Sequence, residues 1–444
     1  MTVTVGLGPT SRLAALTLAA GMEELLDLAT TGIAAGGDAV ARDDGGRVVF
    51  VAGGLPGERV QVRLHEERKR FAKGSVAQVV EPSPSRREPP CRFVAAGCGG
   101  CDWQHIDPVV QPELKARLVG DALERLGGVA DPQVDLGPTL PSAHYRTTVR
   151  CAVVGGQAGF RRARSHVPLA VDTCLVTDPR VDELIRHGRF GSATEVTIRV
   201  GTRTGERLVL ASPTAKGVEV PDDVVVVGTD ELARGRHAWY HEEVAGRRWR
   251  VSATSFFQAR PDGADALVEL VSSAVRDLAP GARTMVDLCC GVGLFAGAVG
   301  ATAGLAVLGV ERHAAALHDA RHNLTQQGAT DVRWVKTSLE QWRPALVDVV
   351  VADPPRHGLG AQAVRTVTAT KAALVVLVSC DPAALGRDAK LFGEAGYRLA
   401  GATLVDLFPQ TSHVEVVSRF VRIKRVSAGA GSRAVAKPAV LSGP

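Results

Sequence analysis

Aromatic side chains are scarce in this 444-residue chain: Phe, Trp and Tyr together make up 4% of it, with only three Tyr. A core must therefore be assembled chiefly from Val, Leu and Ala. Eight cysteines are too few to scaffold a chain of this length with disulfides. No stretch approaches the roughly 18–20 apolar residues that span a bilayer. Leu13–Ala20 is apolar but too short for a convincing signal peptide. These absences predict a soluble, cytoplasmic protein with no membrane contact. Gly (48) and Pro (24) follow no three-residue period, which excludes a collagen-like chain. With 45% hydrophobic and 22% charged residues, the chain is globular in composition. Its length points to about three domains. A net charge of +5 permits an anionic partner without requiring one.

The first 21 residues read as a disordered extension, with Met22 as an alternative start. From 22 to 82, short strands alternate with Gly and Asp turns: Arg47–Ala52, Glu58–His65 and Gly74–Val80. Alternation of Val60, Val62 and Leu64 predicts one face turned into a small barrel core. Between Arg59 and Lys73 stand six Lys or Arg against two Glu, with Phe71 in the run. Basic groups around an aromatic suit a nucleic-acid backbone and a stacked base. A charged edge strand is the competing explanation. Pro82–Pro90 is a linker by composition. Residues 83 to 255 read as a middle α+β domain, with a second basic stretch at Phe160–His166. From 256 to 424, helical and apolar strand-like segments alternate, the pattern of a doubly wound parallel sheet. Thr403–Leu407 and Val414–Phe420 read as an antiparallel pair at its edge, and 425–444 as a disordered tail.

Four strand ends carry chemistry. The strand ending at Asp287-Leu288 runs into Cys289-Cys290-Gly291-Val292-Gly293, where glycines let backbone amides approach a ligand. Glu311 follows the next strand, placed to accept the two hydroxyls of a ribose. Both NAD(P) and S-adenosylmethionine fit this pattern, although the third glycine of the dinucleotide fingerprint is missing. The next ends carry Asp353-Pro354-Pro355-Arg356 and Ser379-Cys380-Asp381-Pro382. Cys380 is either a buried small hydrophobe or a nucleophile. A cysteine beside a methyl donor has a specific use. Its thiolate can add to carbon 6 of uracil, making carbon 5 nucleophilic, after which a base removes the carbon 5 proton. Glu415 is a candidate for that base, with His413 its rival. Finally, Cys91, Cys98 and Cys101 cluster after the linker, a pattern of metal binding or catalysis.

Together, Phe256-Phe257-Gln258, Asp287–Phe295, Glu311, Asp353–Gly358, Ser379–Asp388 and Phe408–Val417 resemble the S-adenosylmethionine-dependent RNA 5-methyluridine methyltransferases that carry a TRAM domain and an iron–sulfur cluster. The resemblance covers roughly residues 22 to 423. It implies an N-terminal TRAM/OB-like β-barrel, a cluster-bearing α+β middle domain and a C-terminal Rossmann-like methyltransferase domain. It implies Cys380 as nucleophile, Glu415 as base, and donor contacts from Gln258, Gly291, Gly293, Glu311, Asp353 and the backbone of Cys289. It also supplies Cys174 as the fourth ligand beside Cys91, Cys98 and Cys101. Four thiolates suit zinc or a 4Fe–4S cluster, and the resemblance implies the latter, as a structural staple. Arg68, Lys69, Arg70, Phe71 and Lys73 become candidate RNA contacts, joined by Arg161, Arg162 and Ser165 beside a cleft for a flipped base. The expected partner is structured RNA, with ribosomal RNA favoured over transfer RNA, and the expected state is a monomer. A non-catalytic RNA-binding or assembly protein and an NAD-dependent oxidoreductase are the alternatives from other classes.

Overall fold

The computed structural model describes residues 25–423; the extension at 1–21 and the tail at 425–444 lie outside the described residues. The described residues divide into two compact units, one made from 25–32 and 38–83, the other from 33–37 and 84–423.

In the first unit five strands, Leu26–Ile33, Ala39–Arg42, Val48–Ala52, Arg59–Glu67 and Phe71–Glu81, close into a barrel. Strand alternation turns every second side chain inward. Val49, Val51, Val60, Val62 and Ala72 accordingly form a fully buried core with Leu28, Ala39 and Ala41. Leu64 is only partly covered. The last strand begins at Phe71, three residues before the expected Gly74, and Phe71 packs edge-on to Phe50 at 6.1 Å.

The second unit holds two main sheets. A six-stranded sheet runs in the order Val224–Gly228, Arg207–Ser212, Glu195–Val200, Thr148–Val154, Gln157–Arg161, Pro168–Ala170. The helix Pro179–His187 buries Val181, Leu184 and Ile185 in the same hydrophobic cluster. The eight-stranded sheet has the order Val332–Lys336, Ala306–Glu311, Thr284–Leu288, Val349–Ala352, Leu374–Ser379, Val416–Arg422, Tyr397–Leu404, Val134–Leu136. Its first five strands are parallel. Every residue of Val349–Ala352 and Leu374–Ser379 is buried, as a parallel strand covered on both faces requires. Each fully buried Val or Leu contributes about 1.5–3 kcal/mol. That is how a core so poor in aromatics holds.

Two differences from the sequence reading matter. Val416–Arg422 inserts between Leu374–Ser379 and Tyr397–Leu404, antiparallel to both, so the expected pair is internal on one side. The outer edge is Val134–Leu136, which pairs parallel to Tyr397–Leu404. The helix Gln111–Arg125 packs against the helix Pro382–Glu394. Residues read as part of the middle domain thus complete the C-terminal sheet layers.

The hairpin of Trp239–Val244 and Arg247–Ser252 is fastened to the helix Ala314–Gln326 by a buried acid. Asp319 accepts from Arg250 Nε (3.0 Å), Ser252 N and Oγ (both 2.8 Å) and Ser255 Oγ (2.8 Å). One helical turn on, Asn323 bridges Arg250 to the carbonyl of Val292. This fastening fixes the chain just before Phe256–Gln258. Replacing Asp319 by Ala strands a cation and several donors, so Asp319→Ala should destabilise the second unit by about 3–5 kcal/mol. A lowered urea midpoint would show it; an unchanged midpoint would contradict this role.

Candidate active site

The turn after Thr284–Leu288 is built on three left-handed residues: Cys289 (φ 59°), Gly291 (φ 54°) and Gly293 (φ 90°). Glycine takes this conformation freely, whereas cysteine rarely does. Asp287 ties the turn to the following helical segment, its Oδ2 accepting from Ala296 N at 2.8 Å. That segment is π-helical from Ala296 to Ala301. Glu311, 7% exposed, accepts from Gly291 N (3.1 Å) and His313 N (2.7 Å), so it already faces the glycine turn. Gln258 is buried and donates from Nε2 to Asp353 Oδ2 at 3.3 Å. The donor residues expected from the motifs therefore gather at one sheet edge. Cys290 is buried, 6% exposed.

Cys380 follows Leu374–Ser379 directly, and Asp381 caps the next helix, its Oδ1 accepting from Ala384 N at 2.7 Å. Burial, then the nearby charges of Glu415 and Asp353, push the Cys380 thiol up to about 12, against the pull of Arg356. Burial raises Glu415 well above the ordinary carboxylate range, with Asp353 adding to it and Arg356 opposing. Burial also raises Asp353. Two buried acids this close favour sharing a single negative charge. His413 behaves oppositely: burial and Arg356 lower it to about 4. Its Nε2 lies 3.3 Å from Arg356 Nη2. A weakly basic, cation-bound imidazole is a poor proton acceptor, and the basic carboxylate of Glu415 is a good one.

The loop leading to Glu415 is gripped from afar. Lys115, fully buried, donates to Asp406 Oδ1 (2.7 Å) and the Phe408 carbonyl (3.0 Å). Tyr145 Oη donates to the Pro409 carbonyl at 2.9 Å. Gln410 is left-handed (φ 68°), with its N–H donated to Gln111 Oε1 (2.7 Å) and its carbonyl taken by Trp103 N (3.0 Å). Sequence reasoning missed Lys115, Gln111, Trp103, Tyr145 and Arg356. Only Arg356, inside the Asp-Pro-Pro-Arg motif, carried a local signal.

Cys91, Cys98, Cys101 and Cys174 line one cavity of about 170 Å³, with Phe93, Phe160 and Arg146 among its other walls. Burial raises the thiols of Cys98 and Cys174, and that of Cys101 to about 12. Among the described residues, no three or more His, Cys, Asp or Glu side chains are set as the ligands of a metal ion. The four thiols meet only around the cavity. Cys151, in the strand Thr148–Val154, is fully buried in the hydrophobic cluster.

Several of the candidate RNA contacts have protein partners. Arg162 donates to the Ala96 carbonyl and so backs the cysteine segment. Ser165 Oγ accepts from Val167 N at 3.0 Å within its own turn. Arg161, half exposed, lies 3.6 Å from Glu195. In the barrel, Arg68 and Lys73 pair with Glu66 at 3.1 and 2.9 Å, and Lys73 lies 5.6 Å from the Phe71 ring centre. Lys69 and Arg70 are exposed at the turn before Phe71.

A sheet with this strand order and a ligand turn at its carboxyl edge defines a Rossmann-like methyltransferase domain. Residues 253–377 match the methyltransferase small domain and residues 29–77 the TRAM domain. An uncharacterized RNA methyltransferase of Streptomyces avermitilis is 36% identical over 421 residues, covering 87% of this chain and 95% of that protein. The 23S rRNA (uracil(1939)-C(5))-methyltransferase RlmD of Chromohalobacter salexigens is 33% identical over 414 residues, covering 85% of this chain and 86% of its own. The crystal structure of Pyrococcus abyssi tRNA (uracil-54, C5)-methyltransferase with S-adenosyl-L-homocysteine shares the fold, with a TM-score of 0.68 at 23% identity, covering 89% of this chain and all of that one. The chain belongs to the S-adenosylmethionine-dependent RNA uracil-C5 methyltransferase family.

The burial of Glu415 has a thermodynamic signature. A folded-state pKa above the ordinary 4.5 means the native protein holds a proton the unfolded chain has lost, so stability falls as pH rises beyond that value. Gln does not titrate. The stability of Glu415→Gln relative to the parent should therefore grow as pH rises from 4.5 towards the raised pKa of the buried acid, by up to about 1.4 kcal/mol per pH unit. A pH-independent difference in denaturation would contradict it.

Proposed function

We propose that this protein methylates carbon 5 of a uridine in RNA through a covalent bond between Cys380 and carbon 6 of the base. The convergence of Cys380, Glu415 and Asp353 at the carboxyl edge of the sheet carries this reading. S-adenosylmethionine supplies an electrophilic methyl group when bound. Gln258, Glu311, Asp353 and the turn at Cys289, Gly291 and Gly293 would hold it, with Glu311 on the ribose hydroxyls. Four acids, Asp287, Glu311, Asp353 and Glu415, crowd this edge. Such a site suits a sulfonium cation and repels the pyrophosphate of a dinucleotide, which argues against the NAD reading.

Before reaction the Cys380 thiol and the Glu415 carboxyl lose their protons to solvent, a loss favoured by the cation of Arg356. The thiolate then adds to carbon 6, and the electron pair of the 5,6 double bond moves onto carbon 5 and the carbonyl oxygen. After carbon 5 is methylated, Glu415 takes its proton, the double bond re-forms and the bond to Cys380 breaks. Arg356, beside Cys380 and Glu415, opposes the two acids and favours both anionic forms. A non-catalytic RNA-binding role would leave this charged arrangement without a purpose.

The cavity lined by Cys91, Cys98, Cys101 and Cys174 fits a 4Fe–4S cluster. Its four thiols surround a space larger than a single ion needs, and the cation of Arg146 offsets thiolate charge. Such a cluster would act as a structural staple. Ribosomal RNA is the favoured substrate, supported by the relative that acts on 23S rRNA, with transfer RNA the alternative. Arg68, Lys69, Arg70, Phe71, Lys73, Arg161, Arg162 and Ser165 are the RNA contacts we assign to it.

Cys380→Ala should form no 5-methyluridine, and Glu415→Gln should trap a methylated protein–RNA adduct. Normal product from the first, or prompt turnover by the second, would sink the corresponding role. Mapping 5-methyluridine in ribosomal and transfer RNA from a deletion strain identifies the substrate. The electrostatics make a separate prediction. Iodoacetamide should alkylate Cys380 about tenfold faster with S-adenosylmethionine bound than with S-adenosylhomocysteine, because one added cation lowers the thiol pKa by about a unit. Equal rates would remove the charge argument.

A further inference from the structure

We propose that the segment Cys101–Gln104 is a positioning lever that makes the placement of Glu415 depend on the group held in the cysteine cavity. The proposal rests on the cluster reading above and adds a role to it beyond stapling. Cys101 and Gln104 line the cavity, and Gln104 Oε1 also accepts from Cys91 N at 3.1 Å. The two residues between them reach the other way. Asp102 Oδ1 accepts from Ser412 N at 2.9 Å, and Trp103 N donates to the Gln410 carbonyl at 3.0 Å. One residue set thus holds cluster ligands on one side and the loop of the catalytic base on the other. Ser412 stands three residues before Glu415.

The loop needs this hold. Gln410 lies in the left-handed region (φ 68°), which a side-chain-bearing residue leaves unless its surroundings fix it. Its two backbone groups are taken by Trp103 and by Gln111, whose Nε2 in turn donates to the Trp103 and Ile106 carbonyls. Moving the segment 101–104 therefore moves the Gln410 backbone directly. A second arm runs through Arg146. It lines the cavity, its guanidinium lies 5.9 Å from the Phe408 ring centre, and its buried Nε has no hydrogen-bond partner among the described residues. None of these residues carries the chemistry; each acts by fixing where Glu415 stands.

The lever predicts a defect confined to the last step. With RNA and S-adenosylmethionine, Asp102→Ala should form the methylated Cys380–RNA adduct at the parent rate but release it about five- to tenfold more slowly, the scale of one lost hydrogen bond. Asp102→Asn keeps an acceptor oxygen for Ser412 N and should restore release. Hydrogen exchange should be faster at 410–415 in Asp102→Ala, and in parent protein stripped of its iron by oxidation and chelation, with donor affinity unchanged. Formation and release slowed equally, unaltered exchange at 410–415, or no rescue by Asp102→Asn would each overturn the lever. Iron and sulfide analysis of the parent tests the cluster reading separately. If the parent holds neither, dependence on the cavity's occupant is overturned, while the adduct kinetics still judge the role of Asp102.

Discussion

Burying negative charge is what this molecule must manage, and the rest of the active unit is arranged around it. Asp287, Glu311, Asp353 and Glu415 converge at the ends of neighbouring strands, each close enough to perturb another or the adjoining thiols. A low-dielectric site cannot hold four full negative charges without compensation. Some of it is local: Ala296 N on Asp287, and Gly291 N and His313 N on Glu311. Arg356 supplies a cation beside Cys380 and Glu415, at the cost of weakening His413 as a base. The remaining imbalance is best relieved by a cationic ligand. The same burial that raises Glu415 also raises the Cys380 thiol.

The sheet provides the rigid frame for this charge. Its central strands are uniformly apolar and buried, so the polar residues at their carboxyl ends sit on backbone that cannot shift without opening the core. Loops on the same edge have no such support. The one before Glu415 borrows it from residues far away in sequence, some 299 positions for Gln111 and 291 for Lys115. A fully buried lysine is costly to keep charged, and burial does lower it, with Asp406 pulling the other way. That an ion pair and several uncharged hydrogen bonds are spent on a stretch from Asp406 to Ser412 shows where precision is required.

These distances also explain what the sequence could disclose. Strand alternation in the barrel, the apolar runs of the parallel sheet, and the motifs at Asp287, Asp353 and Cys380 are local patterns. A local pattern is written in consecutive residues. The edge strand Val134–Leu136 has three residues, two of them exposed, and no pattern long enough to assign it. The grip on Gln410 is a property of pairs some 300 residues apart, so no window along the chain contains it. Arg162 and Ser165 lie in a basic stretch that composition associates with RNA, yet each has a partner in its own surroundings.

The cysteines show how completely surroundings decide chemistry. Cys151 lies in a hydrophobic cluster and behaves as a small apolar side chain, and Cys290 is buried. Cys289, one residue from Cys290, is turned out by its left-handed backbone towards the acids of the donor turn. Four others meet around a cavity that no single one of them defines. Cys380 alone stands at a strand end before a capped helix, between two basic carboxylates and a guanidinium. A helix N-terminus by itself lowers a thiol's pKa, yet here burial and the acids overcome it. Burial and the two acids thus hold the Cys380 thiol well above the ordinary range of a free cysteine. A thiol raised this far is a weak nucleophile on its own, so reactivity at Cys380 depends on the charge of what binds beside it.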